Sequence, residues 1–245
     1  MIIKRYLIAV LFVFCSKLLF AQHVPAWGGG ADQQDLSFGF SFGYVSSDFK
    51  ITKKPGWRTP YFDQETHANI TDSLNSISSK STPGFAIGFL TRYSLNDHVE
   101  VRVTPALIFA DRTISYTYRN PAQNQDKQVQ TTSMDLPLSF KIKSDRLGDF
   151  RAYMLGGIKY TKAISSKKNA DSNLDNLDKL VKNVGGFGSY EAGLGCDIYF
   201  EFFKLSPEIK ISNSFGNVLL PETHPFSNPI SKLGLHTIQF SLFFE

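Results

Sequence analysis

Leu36-Ser-Phe-Gly-Phe-Ser-Phe-Gly-Tyr-Val45 alternates from end to end. Leu36, Phe38, Phe40, Phe42 and Tyr44 fall on one parity, and Ser37, Gly39, Ser41, Gly43 and Val45 on the other. Successive side chains of a strand point to opposite faces, so the stretch makes one greasy face and one small or polar face. A soluble sandwich buries the greasy face. A barrel closed in lipid turns it outward and lines its interior with the polar face.

Seven further segments repeat the pattern. In Gly84–Tyr93, Phe85, Ile87, Phe89, Thr91 and Tyr93 share a face. Val99, Val101 and Val103 alternate with Glu100, Arg102 and Thr104; near Ala110–Arg112 the apolar parity slips by one, and Ile114, Tyr116 and Tyr118 resume it. A bulge, or the end of the membrane-embedded part, explains such a slip. Val129–Lys143 directs Met134, Leu136, Leu138, Phe140 and Ile142 outward. Phe150–Ile164 does so with Phe150, Ala152, Met154, Ile158 and Tyr160, and Gly186–Phe200 with Tyr190, Ala192, Leu194, Cys196, Ile198 and Phe200. Lys204–Phe215 and Leu235–Phe244 complete the set. Pro105, Pro137 and Pro207 fall inside strands, where each leaves a ladder bond unmade or marks a bulge.

The links decide between sandwich and barrel. Ser94–His98, Ser144–Asp149 and Glu201–Phe203 are short, and the other four links, which alternate with them, are long and polar. Outer-membrane barrels have short periplasmic turns and longer extracellular loops. The expected fold is therefore an all-β, eight-stranded antiparallel transmembrane barrel over 36–245, with both ends periplasmic.

The N-terminus agrees. Lys4-Arg5 precedes the apolar run Tyr6–Phe14, and Leu19-Phe-Ala21 suggests cleavage after Ala21. That is a secretory signal over 1–21, too short for a spanning helix, followed by a periplasmic segment over 22–35. Phe14 is too bulky for a lipidation motif at Cys15. The expected location is the outer membrane, with lipid as the first partner.

Aromatics are 14% of the chain, including 22 Phe. Mean hydropathy is nonetheless slightly negative, as expected when apolar side chains occupy alternate positions. After processing, Cys196 is the one cysteine left, which excludes an intrachain disulfide framework. The formal net charge is +4, but Lys4, Arg5 and Lys17 belong to the leader, so nothing points to nucleic acid.

Eight strands enclose a lumen that side chains fill. The inward parity carries Arg92, Arg102, Lys141, Lys143, Arg151, Lys159 and Lys210 against Glu100, Asp135, Glu191, Asp197 and Glu208. Such charges must pair or be costly, so a salt-bridged plug is expected rather than a conducting pore. In Asp171–Val184, Leu174, Leu177, Leu180, Val181 and Val184 recur at helical spacing, which predicts a short loop helix at the barrel mouth. Barrel enzymes need a His beside a Ser or a carboxylate. His98 sits next to Asp97 in a turn, His67 and His224 lie in long loops, and His236 has no identifiable partner. No catalytic residue, metal site, cofactor or small-molecule substrate is expected.

The second half is more specific. Lys143-Ser-Asp-Arg-Leu-Gly-Asp-Phe-Arg-Ala-Tyr-Met-Leu-Gly-Gly-Ile-Lys-Tyr160 and Phe203-Lys-Leu-Ser-Pro-Glu-Ile-Lys210 resemble the PorT/SprT family of the Bacteroidetes. So do Met134-Asp-Leu-Pro-Leu138, Gly193-Leu-Gly-Cys-Asp-Ile-Tyr199, Asn228-Pro-Ile230 and the opening Phe38–Tyr44. One departure is the ending Phe244-Glu245, where many outer-membrane barrels end on an aromatic. The resemblance implies a non-catalytic component or assembly factor of the type IX secretion system, with other secretion proteins as partners, and a role in gliding where gliding occurs. It directs attention to Asp145, Arg146 and Asp149 in a periplasmic turn of the family-like stretch as candidate interaction residues. The alternative is a structural or adhesive OmpA-like barrel unconnected with secretion.

Overall fold

A computed structural model of the chain describes residues 32, 34–64, 67–164, 179 and 181–245. The leader over 1–21 and most of 22–35 lie outside the described residues. The strands are β1 (Leu36–Lys53), β2 (Phe62–Asp63), β3 (Ala68–Asn69), β4 (Leu74–Lys80), β5 (Thr82–Ser94), β6 (Val99–Val103) and β7 (Ala106–Tyr118). They continue with β8 (Gln125–Lys143), β9 (Phe150–Ala163), β10 (Gly186–Tyr199), β11 (Lys204–Ser214) and β12 (Ile230–Phe244). β4 runs into β5 past Ser81, and β6 runs into β7 past Thr104 and Pro105, making two long staves.

Each stave pairs antiparallel with its neighbours in sequence, and β1 pairs with both β5 and β12. Phe40 stands opposite Phe89 on one side and Phe244 on the other. The sheet is therefore a closed ring of eight strands. β2 and β3 form a separate hairpin in the first long loop.

The outward face is greasy over a band. Phe38, Phe42, Phe85, Phe89, Phe140, Met154, Ile158 and Leu194 are all exposed. Exposed apolar surface on that scale is the signature of contact with lipid rather than water. No helix among the described residues is long and apolar enough to cross a membrane; the crossing is made by strands.

Beyond the band the polarity of the two faces exchanges. On β1 the outward residues change from Phe42 and Tyr44 to Ser46, Asp48, Lys50 and Thr52, while Val45 and Phe49 are buried inside. On β12, Leu233 and Leu235 are buried and Lys232 is exposed. The barrel continues past the lipid, where water surrounds it and its apolar residues turn inward. Phe49, Leu74, Ile77, Ile114, Tyr116, Tyr118, Leu233 and Leu235 pack there with Val181, Val218, Leu219 and Phe226 from the loops. Each fully buried Leu, Ile or Phe contributes roughly 1.5–3 kcal/mol.

This exchange decides between the two explanations of the parity slip near Ala110–Arg112: the membrane-embedded part ends there, and no bulge is involved. The β7–β8 register runs unbroken from Ala106↔Asp135 to Tyr116↔Gln125, so no bulge intervenes. Arg112, Ile114, Tyr116 and Tyr118 are all buried, on the same inward parity as Glu100 and Arg102. The chain keeps its phase while the surroundings change. The same effect lengthens the strands: Ser46–Lys53 and Leu74–Lys80 belong to strands, although their sequence reads as part of a polar loop.

The prolines also keep register. Thr91↔Val103 and Gly88↔Ala106 flank Pro105 on one side, and Val103↔Leu138 and Ala106↔Asp135 on the other, with no residue inserted. The Pro105 carbonyl accepts from the Phe89 N–H at 2.9 Å, and the Pro137 carbonyl from the Thr104 N–H at 3.4 Å. A residue of an antiparallel ladder turns its N–H and C=O toward the same neighbour, so Pro105 forfeits one bond to β5 and Pro137 one to the β6–β7 stave. At Pro207 the β10–β11 pairing lapses opposite Cys196 and Asp197 and resumes in phase at Ile198↔Leu205. These are missing ladder bonds rather than bulges.

Candidate functional site

The inward parity of the lipid-embedded half places carboxylates and cations within reach across a narrow lumen. Glu100 receives Lys141 at 3.2 Å, Lys143 at 3.1 Å and Arg92 at 3.6 Å. Lys141 also reaches Asp197 at 2.9 Å, and the Ser206 hydroxyl donates to the same carboxylate at 2.6 Å. One level further in, Arg102 pairs with Glu208 at 2.7 Å, and the Tyr153 hydroxyl donates to that carboxylate at 2.9 Å. Lys210 lies 3.5 Å from Glu191 and 3.6 Å from Glu208. Above them Lys159 meets Asp135 at 2.9 Å, with the Thr161 hydroxyl on Asp135 at 2.8 Å.

At the short-turn end, Arg151 stands 3.6 Å from Asp32, a residue before the first strand. Asp32 also meets Arg92 at 3.3 Å and Lys204 at 3.2 Å, and accepts from the Tyr199 hydroxyl. Burial opposes ionisation of Asp32, but Lys204, the Tyr199 hydroxyl and Arg92 outweigh it and hold the carboxyl well below the usual carboxylate range. Glu245 turns its side chain inward between Arg92, at 2.8 Å, and Lys204. Its neighbour Phe244 faces lipid and stacks on Phe40 at 5.1 Å.

Lys204, Glu245, Asp32, Arg112, Tyr153 and Tyr199 belong to this interior beyond the residues anticipated from sequence. Lys204 opens β11 on its inward parity, and Glu245 lies one residue past β12 on the inward parity of that strand. Arg112 was hidden by the apparent slip in β7. Asp32 lies outside every alternating segment, so no pattern marks it. Arg92, Glu100, Arg102, Lys141, Asp197 and Lys204 are each no more than 2% exposed, so side chains fill this part of the lumen.

The long-loop end is capped. Val184 N–H donates to Val218, Leu220 N–H to Lys182, and Asn183 bridges to Leu219. The described end of the predicted loop helix, 181–184, is thus extended, because it pairs with the last loop; the remainder falls mostly outside the described residues. Tyr116 donates to the Phe226 carbonyl at 2.7 Å beneath this cap. Between the first and last long loops lies a cleft of about 220 Å³ lined by Lys54, Trp57, Tyr61, Thr71 and Pro225.

The turn 144–149 shows four contacts. Asp145 reaches His98 of the neighbouring turn at 3.0 Å. Arg146 pairs with Asp149 at 3.2 Å and lies 3.8 Å over the Tyr199 ring, and the Asp149 carbonyl accepts from the Tyr199 N–H at 2.9 Å. The turns after β8 and β10 are thereby joined. Leu95, Leu147 and Phe202 project from the three short turns, the last two 76% exposed. Elsewhere His224 lies 3.5 Å from Glu222, and His236 meets Asn213 at 2.9 Å. Among the described residues no group of three or more His, Cys, Asp or Glu is arranged to hold a metal ion.

A closed ring with a greasy outer band and a salt-bridged interior defines a transmembrane β-barrel. The chain belongs to the outer membrane protein beta-barrel domain family, whose model matches residues 20–220. It is an outer-membrane protein in contact with lipid. No curated protein sequence matches it. Among solved structures it is similar to neisserial surface protein A, at 8% identity over 86% of this chain and 98% of that one, with a TM-score of 0.43. The outer membrane protein OprG of Pseudomonas aeruginosa is 13% identical over 91% of this chain and 97% of that one, also at 0.43. Ail, the attachment invasion locus protein of Yersinia pestis, solved with the heparin analogue sucrose octasulfate, is 13% identical over 86% and 99%, at 0.38.

Proposed function

We propose that this barrel is a PorT-like component or assembly factor of type IX protein secretion that works through its periplasmic rim and performs no chemistry. The observation that carries the reading is where the resembling stretches fall. Lys143–Tyr160 contains the turn 144–149, and Phe203–Lys210 begins beside the turn after β10. Arg146 packed on Tyr199 makes these turns neighbours, so the family-like residues share one end of the barrel. Leu147 and Phe202 project beside Asp145, Arg146 and Asp149 and supply an apolar centre with a charged rim, the usual anatomy of a protein-binding patch. In this reading the filled lumen is a structural plug that keeps the barrel rigid, export proceeds through the cleaved leader 1–21, and the partners are other secretion proteins.

Replacing Asp145, Arg146 and Asp149 by Ala is expected to reduce cargo export while barrel abundance stays unchanged, because rim charges act on recognition more than on folding. Export that is normal in both this variant and a full deletion would refute the role. The adhesive OmpA-like reading is favoured by one observation, the cleft beside Trp57 at the long-loop end. A deletion strain that secretes normally but loses surface attachment selects it.

A further inference from the structure

Arg112 sits on β7 at the level where the polar lumen meets the apolar cap. It is 3% exposed. Its Nε has no hydrogen-bond partner, and no carboxylate among the described residues makes an ion pair with it. Above it the lumen is filled by Phe49, Ile114 and Leu235, which offer no compensation. Below it the nearest inward carboxylate, Asp135, is already engaged by Lys159 and Thr161. The acid next to it in sequence, Asp111, stands on the opposite parity and is bonded to Gln128. One level down Lys210 and Glu191 balance each other. The chamber therefore holds one positive charge in excess.

A buried cation without a counter-charge is costly, and a fold that retains one supplies it. Arg112 and Lys159 both line a cavity of about 10 Å³, about the space of one water. Ser47, Thr161 and Thr237 add hydroxyls to its wall. The wall thus presents the unpaired Arg112, the Lys159–Asp135 pair with Thr161 bonded to it, the Gln239 amide, and Ser47 and Thr237 bonded to each other with one hydroxyl proton left to donate. We propose that this cavity is a binding site for one small monovalent anion of the halide class, held between Arg112 and Lys159. The anion neutralises Arg112 and closes the charge balance at the top of the polar lumen.

The test uses the whole protein folded in detergent, with sodium chloride or sodium gluconate at equal ionic strength. Chloride is expected to raise the thermal midpoint with single-site saturation over gluconate, which is too large for the cavity. Arg112→Met, which exchanges the charge for an apolar side chain of similar length, is expected to abolish that difference. Crystals of the unaltered protein grown in bromide are expected to show an anomalous peak between Arg112 and Lys159. Equal midpoints in the two salts, or a chloride effect that persists in Arg112→Met, would overturn the site. Where that variant does not fold, the bromide peak alone decides, and its absence means that water satisfies the guanidinium.

Discussion

Arg92 Nε donates to Glu245 Oε1 across 2.8 Å, and so links β5 to the last residue of the sequence over the intervening strand β1. Gly39 of β1 makes the passage possible. A Cβ there would lie 3.0 Å from Glu245 Cγ and would collide with the Phe244 carbonyl. Arg92 and Glu245 are each 1% exposed, so neither can turn to water.

The interior pairs are interdependent, which predicts a large cost for removing one member. Glu208→Ala leaves Arg102 buried without its partner and takes an acceptor from Tyr153. The loss is expected to be about 3–5 kcal/mol, because an uncompensated buried charge remains. Urea unfolding in lipid vesicles checks it. A change below ~1 kcal/mol would mean that the network relaxes around the gap.

The exchange of polarity along the barrel predicts opposite tolerance at two heights. Phe89 faces lipid within the band, so Phe89→Lys is expected to destabilise by about 2–4 kcal/mol if it lies near the midplane. Thr52 faces outward above the band, so Thr52→Lys is expected to stay within ~0.5 kcal/mol. Equal costs at the two positions would show that the band extends to the end of β1.

Asp32 predicts acid behaviour. Its folded pKa lies below the ordinary carboxylate value of ~3.9. Its contribution is therefore fully present above that value and is lost as pH falls through the lower folded pKa. The segment before β1 is expected to remain protected from protease down to about pH 4 and to release in stronger acid. Asp32→Asn is expected to release the segment at neutral pH. If wild type and variant release alike at every pH, the carboxylate is not the anchor.

Topology in the membrane is open to labelling in a Cys196→Ser background. Cysteine at Lys80, exposed on β4 at the long-loop end, is expected to react with an impermeant reagent on intact cells. Cysteine at Asp145, exposed at the opposite end, is expected to react only after the outer membrane is opened. The reverse pattern would invert the barrel.

Much of this architecture is visible in local covalent geometry. Strand side chains alternate by necessity, so Phe38 and Phe40 on one parity, and Glu100 and Arg102 on another, declare their faces before any partner is known. The rhythm of short and long links then orders the staves as a sequential ring. What alternation lacks is height. The parity of Arg112, Ile114 and Tyr116 allows either a bulge or the end of the lipid, and only the unbroken pairing of β7 with β8 decides for the second. Nor does alternation say which cation meets which acid. Lys141 reaches Asp197, 56 residues away, and Asp32 reaches Lys204, 172 away, because closure of the ring and the stagger of its strands bring them to one level. Alternation is a property of each strand by itself, whereas level and pairing are properties of the closed barrel, and only the tertiary structure decides them.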